Sequence, residues 1–357
     1  MGWTFGFHQQ SLPRPISGKL ITRPTLESKN ESVRVEIQLG YQDKDPFHIM
    51  YDMVNNLSTR NEEKIYLGNK NDKKCRFCQK DNSETKFNNK AHIIPEFMGN
   101  KAYFSYFECD SCNEYFSRYE TALSSYGGIL NTFSKVKGKK GYPKHKGINE
   151  QTETIVENDN IMIRINDPLG DSEENSKKSI IYNKEKKVLT FNTNKCSYVP
   201  MDAYKALIKI GFCMLNHETL SDYETTRNWL LGKEELNIQP NNPLYCIYQK
   251  IGGRLFPHPW AVLMEKKKEF YNTPCPTHSF LLFYGLFAFQ IFIPGNVKDD
   301  WIWKEDRVIL PIENHISLSE VDSNGKVKLG VDRIDFSSKE LIKNPEHIFR
   351  ACLNLVA

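Results

Sequence analysis

Four of the nine cysteines fall in two Cys-x-x-Cys pairs, CRFC at Cys75 and Cys78 and CDSC at Cys109 and Cys112, separated by 30 residues. Two such pairs supply the four thiolates of a tetrahedral Zn²⁺ site with bonds near ~2.3 Å. A redox dithiol would sit instead at the strand-to-helix turn of a βαβ unit, a context that neither pair has. The other five cysteines, Cys196, Cys213, Cys246, Cys275 and Cys352, stand singly and suggest neither a metal site nor a disulfide framework. Structural zinc contributes roughly 10–16 kcal/mol of apparent binding energy, enough to fold a module with little core of its own. It would also fix whatever the intervening loop carries.

That loop carries His92 in the run Ala91-His92-Ile93-Ile94-Pro95-Glu96, and Asn113 directly follows the last cysteine. An imidazole with a pKa near ~6.5 can take a proton from water at neutral pH. The simpler readings are a buried structural histidine and, for Asn113, a helix N-cap. The flanking cysteine pairs tip His92 towards catalysis. Further on, residues 134–146 (SKVKGKKGYPKHK) hold six lysines: Lys135, Lys137, Lys139, Lys140, Lys144 and Lys146. Gly138, Gly141 and Pro143 oppose a helix there, so the run is expected as a loop or hairpin able to follow a phosphate backbone. The simpler reading is a solvated charged loop. Six phosphate contacts would give a salt slope of about −5; they would position a nucleic acid without reading its sequence.

Taken in order, CRFC, AHIIPEFMGN and ECDSCNEYF resemble the zinc-stapled branch of the HNH endonuclease family. The resemblance runs from residue 75 to about 120 and extends through the lysine run to 146. It implies a zinc-bound ββα-metal, treble-clef-like module that hydrolyses phosphodiester bonds with one catalytic divalent ion, Mg²⁺ or Mn²⁺. It makes His92 the general base, Asn113 a ligand of the catalytic ion, and Cys75, Cys78, Cys109 and Cys112 the structural zinc ligands. Two positions depart from the family pattern. Where the family usually places a metal-binding Asp or Glu before the base, this chain has Ala91; the middle Asn is out of register, with Phe104 near its place and Asn100 the nearest candidate. Glu96, Asp110 or Glu120 would then supply the carboxylate. Glu120 is favoured because it lies two helical turns beyond Asn113 on the same face.

The elements that must position these residues divide by texture. A chain of 357 residues suggests two domains or three. Residues 1–70 read as an N-terminal arm with a strand at 33–39, 71–150 as the nuclease-like module with its basic loop, and 151–357 as a separate α+β domain. The fold class is α+β. Residues 147–160 have little apolar content and are expected as a linker. Beyond them, strands are expected at 161–165, 179–182, 188–191, 245–248, 260–264, 280–293 in two pieces, 308–312 and 327–336. Helices are expected around 204–214, from Ser221 to Leu231 behind a Ser221/Glu224 capping box, and from Glu346 to Leu355.

Charge is partitioned as well. Residues 1–150 carry 23 Lys and Arg against 17 Asp and Glu, whereas the rest carry 25 against 27, leaving the net +4 concentrated in the first segment. A polyanion site is therefore sought there, with DNA the expected partner and RNA not excluded. No apolar run approaches the ~20 residues that span a bilayer. The N-terminus lacks a basic region followed by an apolar core, so a cytoplasmic chain without a membrane role is expected. The C-terminal segment shows no catalytic motif; Pro257-His258-Pro259-Trp260 is a rigid aromatic turn. By fold-level analogy with anti-phage and restriction-like effectors, this segment is expected to regulate, sense a ligand or partner, or dimerise. Two functions fit these residues: a metal-dependent HNH-type DNA endonuclease, or a non-catalytic zinc module that binds nucleic acid through its lysines.

Overall fold

The computed structural model describes residues 46–59, 63–147, 152–165, 179–236, 244–250, 256–302, 308–313, 320–321, 327–328 and 331–352. The expected N-terminal arm and the strand at 33–39 lie outside the described residues. Along the chain, a short helix α1 (Pro46–Met50) leads into β1 (Tyr51–Ser58). The cysteine-rich segment holds β2 (Ile65–Leu67), β3 (Ala91–His92), β4 (Tyr103–Ser105), the long helix α2 (Asp110–Gly127) and the short α3 (Ile129–Phe133). Then come β5 (His145–Lys146), β6 (Thr152–Glu157), β7 (Asn160–Ile165), β8 (Ile180–Asn183), β9 (Val188–Asn194), α4 (Pro200–Met214) and α5 (Glu224–Leu230). The described elements finish with β10 (Tyr245–Lys250), β11 (Phe256–Lys266), β12 (His278–Gly285), β13 (Phe287–Phe292), β14 (Glu320–Val321), β15 (Val327–Lys328), β16 (Val331–Asp335) and β17 (Glu346–Cys352).

The largest layer is a six-stranded antiparallel sheet in the order β1–β11–β12–β13–β10–β16. Its middle strands β12 and β13 are buried along their whole length, which explains why residues 280–293 read as one long apolar run. The connection between them turns at Gly285 (φ +53°), where a Cβ would lie 2.2 Å from Ser134 Cβ. Strand β1 lies at one edge of this sheet, with Tyr51 opposite Lys266 and Ser58 opposite Trp260. The segment that precedes the cysteine pairs is thereby built into the sheet of the C-terminal half.

Helix α4 is buried on nearly every side, as a helix with apolar residues all round should be. It packs between α2 and the large sheet. A single core joins Phe77, Ile93, Ile94 and Phe116 of the cysteine-rich segment to Leu207, Phe212 and Phe280 of the C-terminal half. No helix among the described residues is long and apolar enough to cross a membrane.

Four sequence expectations are corrected. Residues 152–157, expected within a linker, form β6, which pairs with β5 and β7; Thr152, Thr154 and Ile155 are buried there, so a short alternation outweighs the polar composition. The Ser221/Glu224 capping box does not form: residues 217–223 take a 3-10 turn, α5 begins at Glu224, and Ser221 Oγ donates to Glu218 O. Tyr223 is drawn into the core instead, where its hydroxyl lies 2.7 Å from His278 Nδ1. The closing segment from Glu346 is strand β17, paired with β9, because Phe349 packs against Phe133 and Phe191 in a satellite core. Residues 308–312 are buried in part but form no strand.

Candidate active site

Strands β3 and β4 pair with Ala91 opposite Ser105 and His92 opposite Phe104, β2 adds in parallel to β4, and α2 follows, giving a ββα unit. Its two ends are the cysteine knuckles. Gln79 takes φ 65°, closing the first turn with its N–H on Cys75 O at 2.9 Å. Cys109 is the extended N-cap residue of α2, and Cys112 lies in the helix's first turn. The ligand atoms of Cys75, Cys78, Cys109 and Cys112 all lie within 4.8 Å of one another. Cys78 Sγ and Cys109 Sγ are 3.7 Å apart, close to the ~3.8 Å edge of a tetrahedron with ~2.3 Å bonds.

A hydrogen bond with Cys112 lowers the Cys75 thiol to about 5, while that same bond and burial push Cys112 well up. Four sulfurs this close can all be thiolates only around a cation, so the donor set fits structural zinc. It is the one such cluster of His, Cys, Asp or Glu among the described residues.

His92 stands on β3 with its ring 4.6 Å from that of Phe104. Its Nε2 lies 3.8 Å from Glu96 Oε2, and its Nδ1 is buried with no hydrogen-bond partner. Burial lowers the imidazole pKa; Lys209 and Lys139 lower it further, against the opposing pull of Glu96. These effects favour the neutral imidazole, the form a general base needs. Asn100, by contrast, is wholly buried and fully engaged. Its amide donates to Ile94 O (2.7 Å) and Tyr103 O (2.9 Å), and its oxygen accepts from the Ala102 and Tyr103 N–H groups. It holds the strand carrying His92 against β4.

The lysine run lies beside the same turn. Gly138 and Gly141 exchange two 3.1 Å backbone hydrogen bonds, making a tight hairpin with Lys139 and Lys140 at its tip. This hairpin docks on residues 96–99. Gly99 (φ +89°) permits the approach, since a Cβ there would lie 2.8 Å from Val136 Cγ1, and Gly138 lies against Phe97. Lys137, Lys139, Lys140, Lys144 and Lys146 are exposed. Lys135 is half-buried and its Nζ is tethered to Asp159 O at 2.6 Å.

The remaining acidic and amide candidates separate. Asn113 lies in the first turn of α2 with its N–H on Cys109 O (2.9 Å), so Cys109 rather than Asn113 caps the helix. No described hydrogen bond or ion pair joins Asn113 to His92. Asp110 accepts from the backbone N–H groups of Asn88 and Asn89. Glu120 Oε1 lies 3.9 Å from Lys209 Nζ, and burial raises its carboxyl pKa.

Three further residues escaped the sequence reading. Lys209, buried on α4, places its Nζ 3.0 Å from Glu108 Oε2 and 3.0 Å from His92 O. Glu108 is entirely buried, which pushes its carboxyl up to about 7 against the pull of Lys209. Arg76, inside the first knuckle, donates from Nη1 to Phe212 O, Cys213 O and Leu215 O at the C-terminus of α4. The available signal was a lysine in the midst of the apolar run 203–214, because a buried ammonium must find partners.

Residues 75–124 match the HNH endonuclease family. The match takes in all four cysteines, His92, Asn113 and Glu120, and ends before the lysine hairpin. No curated protein and no solved structure matches the chain. The HNH segment supports a nuclease-type function and contact with nucleic acid.

Proposed function

We propose that the protein is an endonuclease that hydrolyses phosphodiester bonds in DNA, with His92 as general base. One observation carries this reading: His92, its imidazole pKa lowered by burial, lies on a strand between the two cysteine knuckles, beside an accessible carboxylate, with the Lys139–Lys140 hairpin docked on the same turn. With Nδ1 buried, Nε2 is the nitrogen left to accept a proton from water. The water oxygen then bonds to phosphorus, the bond from phosphorus to the leaving oxygen breaks, and the leaving oxygen takes a proton from solvent. Glu96, 3.8 Å from Nε2, stabilises the imidazolium that forms. Exposed lysines of the hairpin hold flanking phosphates and set register without reading bases.

Zinc bound by Cys75, Cys78, Cys109 and Cys112 would hold the two knuckles together. A hard divalent ion keeps several waters and needs one or two protein oxygens plus substrate phosphate. Glu96, whose side chain is 34% exposed, or the half-buried Asn113 would supply such an oxygen. Glu120 faces Lys209, and Asp110 is engaged by backbone N–H groups. Bound there, Mg²⁺ or Mn²⁺ would neutralise charge on the scissile phosphate.

The alternative, a zinc module that binds without cutting, draws on Ala91, which is fully buried and offers no ligand before the base. Supercoiled plasmid and single-stranded RNA, each incubated with the protein plus Mg²⁺, Mn²⁺ or EDTA, separate the readings. Nicked and linear DNA in a metal-containing arm supports the endonuclease. Retarded but uncut DNA in every arm supports the alternative, and cutting of RNA alone moves the substrate.

A further inference from the structure

The cysteine-rich segment does not complete its own interior. A group that touches the His92 backbone comes from α4, in the C-terminal half. Lys209 is 1% exposed, and its Nζ gathers three oxygens: His92 O at 3.0 Å, Glu108 Oε2 at 3.0 Å and Glu120 Oε1 at 3.9 Å. These come from β3, from the residue that precedes Cys109, and from the middle of α2. An ammonium buried to this degree persists only where its partners are fixed. The cross-link therefore joins the His92 strand to both the second knuckle and the long helix.

Neighbouring contacts keep Lys209 in place. One turn before it, Lys205 Nζ donates to Trp229 O at 2.7 Å and lies over the Trp229 ring. At the end of α4, Arg76 from the first knuckle binds three carbonyls and stacks on Phe107 at 3.9 Å. Lys209 and Arg76 thus hold α4 at its middle and C-terminus against the ββα unit, while Lys205 ties it to α5.

We infer that Lys209 is a positioning residue of the nuclease, supplied by the C-terminal half, whose ammonium sets the strand carrying His92 relative to the zinc knuckle and α2. This rests on the endonuclease reading above. It gives the motif-poor half a defined part in the chemistry: the base is aligned only when α4 is docked.

The test separates alignment from charge balance. Lys209→Met alone leaves Glu108 buried without its cation and is expected to destabilise the fold. The informative protein is the full-length double variant Lys209→Met/Glu108→Gln, which removes both charges at nearly constant volume. Expected are zinc content and melting temperature near wild type and an unchanged KM for DNA. The kcat should be reduced about tenfold to a hundredfold, as small misplacements of a reacting group cost. Lys209→Arg, which keeps the charge, should recover part of that loss. The His92 ring-proton resonance, assigned by its disappearance in His92→Gln, should shift in the double variant. A double variant with wild-type kcat and an unmoved His92 resonance overturns the inference and leaves Lys209 a charge-balancing residue. If wild type itself cuts nothing, the endonuclease reading fails, while the resonance still decides whether Lys209 positions His92.

Discussion

Replacing Arg76 by Met tests whether the first cysteine knuckle is stapled to the C-terminal half. Arg76 Nη1 lies 3.0, 2.8 and 3.1 Å from the Phe212, Cys213 and Leu215 carbonyls, at the end of α4 where the helical ladder runs out and Phe212 O keeps a long 3.4 Å bond from the Leu215 N–H. Two protons serve three acceptors, so at most two bonds act at full strength. Bonds to a charged donor contribute ~1.5–3 kcal/mol each, which caps the loss near ~6 kcal/mol. The variant also removes the cost of burying a guanidinium, so the net destabilisation should be about 2–4 kcal/mol. That is a large share of the 5–15 kcal/mol typical of folded domains, but the protein should remain folded. Urea unfolding followed in parallel by tryptophan fluorescence and by zinc release to a chelating dye reads both halves. Wild type should show coincident transitions, and Arg76→Met should move both midpoints down by about 1 M. A shift in fluorescence with zinc release unmoved would show that the knuckle and α4 are not mechanically joined.

Further outcomes follow from the same contacts. Cys109→Ser removes one of four ligands and the N-cap position of α2, so zinc content should fall from about one equivalent to near none, with loss of helical signal; full zinc retention would contradict the four-cysteine site. His278 is buried with its pKa driven down to about 3, mainly by burial. The unfolded chain therefore binds its proton first, and stability is lost as pH falls from about 6.5 towards 3. Between pH 7.5 and 5.5, wild type should lose about 1.4 kcal/mol more than His278→Gln, and equal losses by urea titration would refute this. Neutralising Lys139 and Lys140 to Gln should reduce the magnitude of the salt slope of DNA binding by about 1.8, uniformly across sequences. A sequence-dependent change would mean that the hairpin reads bases.

Legibility followed the range of the forces involved. The zinc cysteines, His92 and the lysine run were visible because thiolate pairs, an imidazole and clustered ammonium groups declare themselves by residue type and local spacing. The hairpin was expected from Gly138 and Gly141, and α4 from the period of its apolar residues. What escaped depended on partners far along the chain. Arg76 has no evident role within CRFC, and only its approach to residues 212–215 makes it a helix cap. Lys209 finds its partners only where α2 and β3 close around it. Strand β17 was taken for a helix because its β9 partner, about 150 residues earlier, is invisible to local periodicity. The capping box failed because burying Tyr223 beside His278 outweighed a local hydrogen-bond option. Glu120 shared a helix face with Asn113, as spacing required, but spacing could not show that Lys209 faces it.

The central claim is that His92 does the chemistry, and the direct measurement is a single-turnover cleavage rate for wild type beside His92→Ala, both proteins matched in zinc content. General-base catalysis typically contributes 10²–10⁴-fold, so His92→Ala should be slower by about 100-fold or more while binding the same DNA with similar affinity. Equal rates in the two proteins would remove His92 from the chemistry and with it the account of this site.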